Sequence, residues 1–247
     1  MTDKTHFGYE YVDKKEKAAK VSAVFDSVAS NYDVMNDVMS LGVHRFWKHF
    51  SVMLADVRQD MVVLDLASGT CDLAIQMGKK LAGTGRLVAS DINPNMLAKG
   101  RDRMVDKGLI ENIEFVEANA EQLPFADNTF DLVTMAFGLR NVTDKDQALR
   151  EIFRVLKPGG KCLVLEFSKP SHAPLETLYD FYSFNVLPKL GKWIAKDEAS
   201  YRYLAESIRM HPDQATLQAM FDQAGFSMTK YQNLTGGIVA IHQGIKI

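Results

Sequence analysis

The spacing of apolar positions along this chain changes several times, and each change marks an element. Ala18, Val21, Val24, Phe25 and Val28 recur at the three- and four-residue intervals of a helix with one buried face. Shorter apolar sets follow at Met35, Val38 and Met39 and at Phe46, Trp47, Phe50, Met53 and Leu54, so a helical cap is expected to open the fold. Between the first two lies SNYDVMND, where Tyr32 and Asp33 fit turn chemistry with an Asp cap. Residues 1–13 carry no such rhythm and read as a flexible arm.

From Met61 the period shortens. Apolar runs at 61–66, 86–91, 113–117, 130–136 and 160–166 predict strands, separated by helical patterns at 72–81, 94–105 and 144–156. Alternation of this kind implies right-handed crossovers and a parallel sheet. The last of these helices has Thr143 or Asp144 as its cap, an apolar face of Ala148, Leu149, Ile152, Phe153 and Leu156, and a stop at Lys157-Pro158-Gly159-Gly160. Residues 171–210 break the alternation with an aromatic-rich helical insertion: Leu178, Tyr179, Phe181, Tyr182, Phe184, Val186, Trp193 and Tyr201. A helix at 213–224 ends at Gly225, and strands at 227–233 and 237–246 meet at the hairpin-type turn Thr235-Gly236-Gly237.

The expected fold is therefore α/β, with a Rossmann-like seven-stranded sheet, mostly parallel and closed by a terminal antiparallel hairpin. That closing pair separates the class I adenosylmethionine methyltransferases from ordinary dinucleotide-binding folds. No Pro/Gly/Ser-rich linker divides the 247 residues, so one domain is expected. Within it, 1–56 form the arm and cap, 57–170 the cofactor-binding core, 171–210 the insertion over the substrate side, and 211–247 the last helix and strand pair.

The candidate chemistry centres on Val62–Asp72, VVLDLASGTCD, which reads as strand, tight turn and helix. Such a turn lies at the carboxyl edge of a parallel sheet, where ligands bind, although a purely structural turn fits the same residues. Asp91 follows Gly69 by 22 positions, the spacing of an acidic residue that accepts ribose hydroxyls; capping of the next helix is the other explanation. The single glycine in Ala67–Leu73 argues against a dinucleotide, whose pyrophosphate needs closer backbone approach. After the third strand, Asn119 and Ala120 could read an adenine edge. After the fourth comes Ala136-Phe137-Gly138-Leu139-Arg140-Asn141, where Arg140 is either surface punctuation or a cation at the site.

Composition removes several classes. With 29 basic and 31 acidic residues the net charge is −2, which makes no electrostatic case for nucleic acid. Cys71 and Cys162 lie far apart without metal-type spacing, so neither a disulfide framework nor a metal site is expected, and a reducing cytoplasm fits. The polar N-terminus and the lack of an apolar run of about 18 residues give no signal peptide or membrane span.

SVASNYDVMNDVMSLGVHRFWK, VLDLASGTCDL, ANAEQLPFADNTFD, FGLRNVTDKDQALREIFRVLKPGG, LVLEFSKP and SYRYLAESIRMHPDQ together resemble the ubiquinone/menaquinone biosynthesis C-methyltransferase family, from about residue 6 to 247. The resemblance implies transfer of a methyl group from S-adenosylmethionine to a ring carbon of a polyprenylated quinol. It also implies peripheral contact with the inner face of a membrane and with other quinone-biosynthesis enzymes. By position it assigns cofactor contacts to Gly69, Thr70, Asp91, Asn119, Ala120 and Ala136. Where the family usually has glycine at 68 and 71 and often serine at 136, this chain has Ser68, Cys71 and Ala136, and a Cβ at 68 or 71 can crowd the cofactor or exclude left-handed backbone angles.

The chemistry asks for help at the nucleophile, since a quinol hydroxyl has a phenol-like pKa near ~10. Arg140 and Asn141 are the candidates to stabilise the quinolate, Asp33 a further catalytic candidate, and Tyr32 and His211 candidate substrate contacts in a covering lid. Cys71, expected at a helix N-terminus, is either an inert small filler or a thiol of depressed pKa. The aromatics of 178–194 are expected either to line the route of an isoprenoid tail or simply to pack the insertion. The competing functions are a methyltransferase acting on another apolar small molecule and a binding homologue impaired in cofactor use.

Overall fold

The computed structural model describes residues 4–28, 35–37, 40–189 and 197–247. Tyr32, Asp33 and Trp193 lie outside the described residues. Nine strands and their flanking helices are described: a two-stranded hairpin, β1 (Lys4–Phe7) and β2 (Glu10–Asp13), and a seven-stranded sheet. The sheet strands are β3 (Val62–Leu66), β4 (Arg86–Asp91), β5 (Ile113–Glu117), β6 (Phe130–Ala136), β7 (Leu156–Phe167), β8 (Ser227–Leu234) and β9 (Val239–Ile245). Their order across the sheet is β5-β4-β3-β6-β7-β9-β8. β3 to β7 pair parallel, and β9 slots antiparallel between β7 and β8. The expected methyltransferase topology is observed.

Two apolar layers sandwich the sheet. Alternation along β3 sends Val63 into one layer and Leu64 and Leu66 into the other. The first layer is closed by α2 (His44–Ala55), α3 (Asp72–Gly78) and α7 (Glu198–Arg209), the second by α5 (Lys145–Val155) and α8 (Gln214–Gln223). The helices start where side chains cap them: Asn93 accepts the Met96 N–H ahead of α4 (Pro94–Asp106), Asp144 that of Gln147 ahead of α5, and Asp213 that of Thr216 ahead of α8. The insertion holds α6 (Ala173–Phe181) and a short π-helical stretch, Tyr182–Val186.

Three expectations are corrected. Residues 4–13 are a hairpin rather than an arm, because their partners are remote: Phe7 stacks on Tyr203 of α7 at 4.2 Å, and the Tyr9 N–H donates to Glu206. The Lys157–Gly160 stop ends α5 but does not delay the next strand. Leu156 already pairs with Phe130, and the register resumes at Lys161 opposite Leu132 across a bulge. In α2 the buried face is His44, Trp47, Lys48, Ser51, Val52 and Ala55, while Phe46 and Met53 are exposed. No helix among the described residues is long and apolar enough to cross a membrane.

Candidate active site

The turn after β3 is built from left-handed residues: Ala67 (φ 54°), Gly69 (φ 53°) and Cys71 (φ 64°). It is fastened to β4, since the Ser68 N–H donates to the Ser90 carbonyl (2.9 Å) and the Gly69 N–H to Asp91 Oδ2 (2.8 Å). Asp91 Oδ1 accepts the Asn93 N–H (2.9 Å). Burial raises the Asp91 pKa against the pull of these N–H groups. α1 (Lys14–Val28) closes the far side, tied to the start of α4 where Asn93 Nδ2 donates to Ser22 Oγ (3.0 Å) and Asp26 Oδ1 (2.9 Å).

A cavity opens at this carboxyl edge. Gly69, Asp91, Asn119, Ala120, Ala136 and Asn141 all line it, with Val21 and Phe25 of α1 and Ile92 and Met96 of the β4–α4 segment supplying apolar walls. Beside it lies a polar recess lined by Lys48, Asp65, Ser68, Thr70 and Asp72, sharing Ala67, Gly69, Ala136 and Phe137 with the first. The sequence-derived cofactor residues are thus brought to one edge, Thr70 in the recess and the others in the main cavity.

The polar recess contains groups that spacing alone did not single out. Lys48 Nζ donates to Asp72 Oδ2 (2.6 Å), Arg103 Nη2 to Asp72 Oδ1 (2.8 Å), and Arg103 Nη1 to the Thr70 carbonyl (2.6 Å). Burial would raise the Asp72 pKa, but the two cations bring it below the usual carboxylate value. Asp65, only 2% exposed, is pushed up to about 7 by burial although Thr134 Oγ1 donates to it at 2.6 Å.

Of the two readings of Cys71, the structure supports the inert filler. The thiol is fully buried, and burial together with Asp65 raises its pKa to about 12, so α3's N-terminus does not activate it. Its Sγ fits because residue 100 is glycine: a Cβ there would overlap Cys71 Sγ and stand 2.9 Å from the Gly69 carbonyl oxygen.

Arg140 and Asn141 sit on a 3-10 turn, Leu139–Asn141, after β6. Arg140 is not surface punctuation. It is 8% exposed and paired with Glu166 of β7 (Nη1 to Oε1, 3.0 Å), whose carboxylate also accepts the Arg140 N–H (3.1 Å) and the Phe167 N–H (2.9 Å). Nη1 donates as well to the Phe137 carbonyl, and Nη2 donates to no described residue. Asn141 Oδ1 accepts the Tyr203 hydroxyl (3.0 Å). His211 corrects its placement as a lid contact: it is 4% exposed and lines neither the cavity nor the recess. Burial, Lys145, Arg140 and His242 hold its pKa well below the usual histidine value.

Behind Phe137 runs an apolar groove. Phe137 packs on Phe167 (4.8 Å between ring centroids) and Trp47 (6.3 Å), and beyond them Leu41, Val43, Leu175, Leu178, Tyr179, Tyr182 and Ile238 form its walls. The insertion therefore supplies one wall of the groove and α2 with its preceding turn the other.

The model of the ubiE/COQ5 methyltransferase family matches residues 13–246. A ubiquinone/menaquinone biosynthesis C-methyltransferase UbiE of Saccharophagus degradans is 59% identical over 242 residues, 98% of this chain and 97% of that protein. One of Escherichia coli is 58% identical over 250 residues, covering all of both chains. Among solved structures, an S-adenosylmethionine-dependent methyltransferase of Thermotoga maritima superposes with a TM-score of 0.61 at 18% identity, over 91% of this chain and 99% of the other, a likeness of fold. With the topology and the family match in agreement over almost its whole length, the chain belongs to the ubiE/COQ5 methyltransferase family.

Proposed function

We propose that this protein transfers a methyl group from S-adenosylmethionine to a ring carbon of a polyprenylated quinol in ubiquinone or menaquinone biosynthesis. The observation that carries the proposal is that Phe137, in the wall of an acid-edged cavity, packs on Phe167 and Trp47, which line an aromatic groove on their other side. The donor set fits the cofactor. Ile92, Met96, Val21 and Phe25 offer apolar faces to a base, Asp91 retains acceptor capacity for ribose hydroxyls, and Asp65, Asp72 and Lys48 suit a zwitterionic amino-acid end. Asn119 and Ala120, in the cavity wall, would meet the adenine edge, Gly69 and Thr70 would hold the cofactor at the turn, and Ala136 would offer it a methyl surface.

When bound, S-adenosylmethionine supplies an activated methyl group on a sulfonium sulfur. The protein's part is to hold the ring carbon in line, exclude water and favour the ionised quinol. Asn141 Nδ2, at the cavity wall, donates to the quinol oxygen and a water takes its proton, while Arg140, buried beside it and lining neither the cavity nor the recess, contributes its charge. Arg140 acts here as a cation, not as a base, because a guanidinium does not give up its proton in proteins. The isoprenoid tail follows the groove toward Leu41 and Leu178, whose exposed side chains suit a membrane surface.

The test is methyl transfer from labelled S-adenosylmethionine to reduced demethylmenaquinone and to its benzoquinol counterpart. Label in a ring methyl of either supports the proposal. Cofactor binding with no transfer to either quinol overturns it, in favour of another apolar acceptor or a non-catalytic homologue.

A further inference from the structure

Asn141 can serve as a donor only if its amide is turned the right way. A primary amide presents an oxygen on one side and an NH2 group on the other, nearly the same in shape, so only hydrogen bonding distinguishes the two orientations. The distinguishing group is Tyr203, on α7, whose hydroxyl donates to Asn141 Oδ1 at 3.0 Å. Among the described residues this hydroxyl has no other hydrogen-bond partner, so turning the amide over would leave its hydrogen without an acceptor. Tyr203 is 8% exposed, and burial pushes its pKa up to about 12, which keeps it a donor across neutral pH.

Tyr203 is in turn fixed from outside the sheet. The Phe7 ring stacks on it at 4.2 Å with 20° between the planes. The hairpin carrying Phe7 is fastened three residues further along α7, where the Tyr9 N–H donates to Glu206 Oε2 at 3.2 Å. Gly8 lies so close that a Cβ there would meet Glu206 Cβ at 3.1 Å. We infer that Tyr203, held by Phe7 of the N-terminal hairpin, is a positioning residue that locks the Asn141 amide with its NH2 toward the substrate. The inference rests on the proposed reading in which that NH2 meets the quinol oxygen. It makes a hairpin more than 130 positions away in sequence part of the apparatus that orders the site.

A double-mutant cycle on the full chain tests it, with Tyr203→Phe, Asn141→Ala and the pair. The readouts are kcat, KM for the quinol, calorimetric affinity for S-adenosylmethionine, and affinity for the methylated quinol in the presence of S-adenosylhomocysteine. Tyr203→Phe keeps the ring stack and should lower kcat and the affinity for the methylated quinol by about 5- to 10-fold, the worth of one neutral hydrogen bond. Cofactor affinity and thermal midpoint should hardly change, and the substitution should cost nothing further in the Asn141→Ala background. Phe7→Ala should reproduce the loss in kcat, and Phe7→Tyr, which can still stack, should restore it. An equal loss in both backgrounds, or full activity in Tyr203→Phe beside an impaired Asn141→Ala, overturns the positioning role and leaves the proposed reaction standing. Failure of Phe7→Tyr to restore what Phe7→Ala loses overturns the hairpin's part. Full activity in Asn141→Ala overturns the donor assignment and this inference with it.

Discussion

Replacing Asp91 by asparagine separates two duties of one carboxylate. Both oxygens already accept a backbone N–H, Oδ2 from Gly69 at 2.8 Å and Oδ1 from Asn93 at 2.9 Å. An amide has only one oxygen, so whichever way it turns, its NH2 faces a backbone donor and one of the two loses its acceptor. A buried unpaired N–H costs about 1–3 kcal/mol, which should appear as lost folding stability in urea. The fold should survive, because domains of this kind have about 5–15 kcal/mol in hand. Separately, the cofactor's ribose loses a hydrogen bond to a charged acceptor, worth about 1.5–3 kcal/mol, or about 10- to 150-fold in Kd. Calorimetry on Asp91→Asn reads the second quantity and urea unfolding the first. Lost stability with unchanged cofactor affinity would refute the ribose assignment and leave Asp91 as the tie between the turn and β4.

Three further outcomes are expected. Arg140→Ala leaves Glu166 buried without its cation but still holding two backbone N–H groups, so urea unfolding should show a loss near ~3 kcal/mol, the low end for a broken buried pair. Its turnover should fall about 10²- to 10³-fold and recover in part at high pH, and near-normal turnover at neutral pH would refute its electrostatic role. Gly100→Ala should destabilise by about 1–3 kcal/mol despite a better helix propensity, with a loss of cofactor affinity that Cys71→Gly partly restores, since the overlap involves Cys71 Sγ. His242 has a pKa lowered by burial from 6.5 to about 4, so its stabilisation is present above about pH 6.5 and is lost as pH falls toward 4. That interval of about 2.5 pH at about 1.36 kcal/mol each amounts to about 3 kcal/mol. His242→Gln should flatten unfolding free energy against pH in that window by this amount, and an unchanged slope would refute it.

How much of this was visible in the chain depends on the distance over which each feature is determined. β4, β5 and β6 fall on the residues that periodicity marks, and α4, α5 and α8 begin at their capping residues, because both signals lie within a few positions. Asp91 was legible for the same reason: a parallel pair puts strand ends at one edge, and Leu66 lies opposite Ser90. The hairpin at 4–13 was not, because its support comes from Tyr203 and Glu206 of α7. Arg140 was placed correctly on the turn but with its charge unopposed. Glu166 is 26 positions away, and only the β6–β7 register brings it alongside. The Lys48–Asp72–Arg103 group likewise joins α2, α3 and α4, and no local pattern links them.

Ser68 and Cys71 raised the question whether a turn without the family's usual glycines can still take its shape. Backbone geometry answers for Cys71, which occupies the left-handed region at φ 64° with Ala67 at φ 54° nearby, conformations that cost a non-glycine residue about 1–2 kcal/mol each. Something must offset that cost, and the hydrogen bonds of the turn supply it. The Ser68 and Gly69 N–H groups are held by β4 at Ser90 and Asp91, and the Cys71 N–H closes the turn on the Ser68 carbonyl at 2.8 Å. The Cys71 carbonyl accepts the Ile75 N–H at 2.8 Å, which starts α3 from that strained residue. Conformational permission from glycine has thus been replaced by constraint from the neighbouring strand. The Cβ and Sγ that result are directed toward Gly100 of α4 and away from the cavity, whose lining includes Gly69 but not Cys71. The cysteine at 71 therefore bears on how α3 and α4 pack, the cavity wall remains the one formed by Ala67, Gly69 and Asp91, and of Ser68 and Cys71 only Ser68 reaches the polar recess.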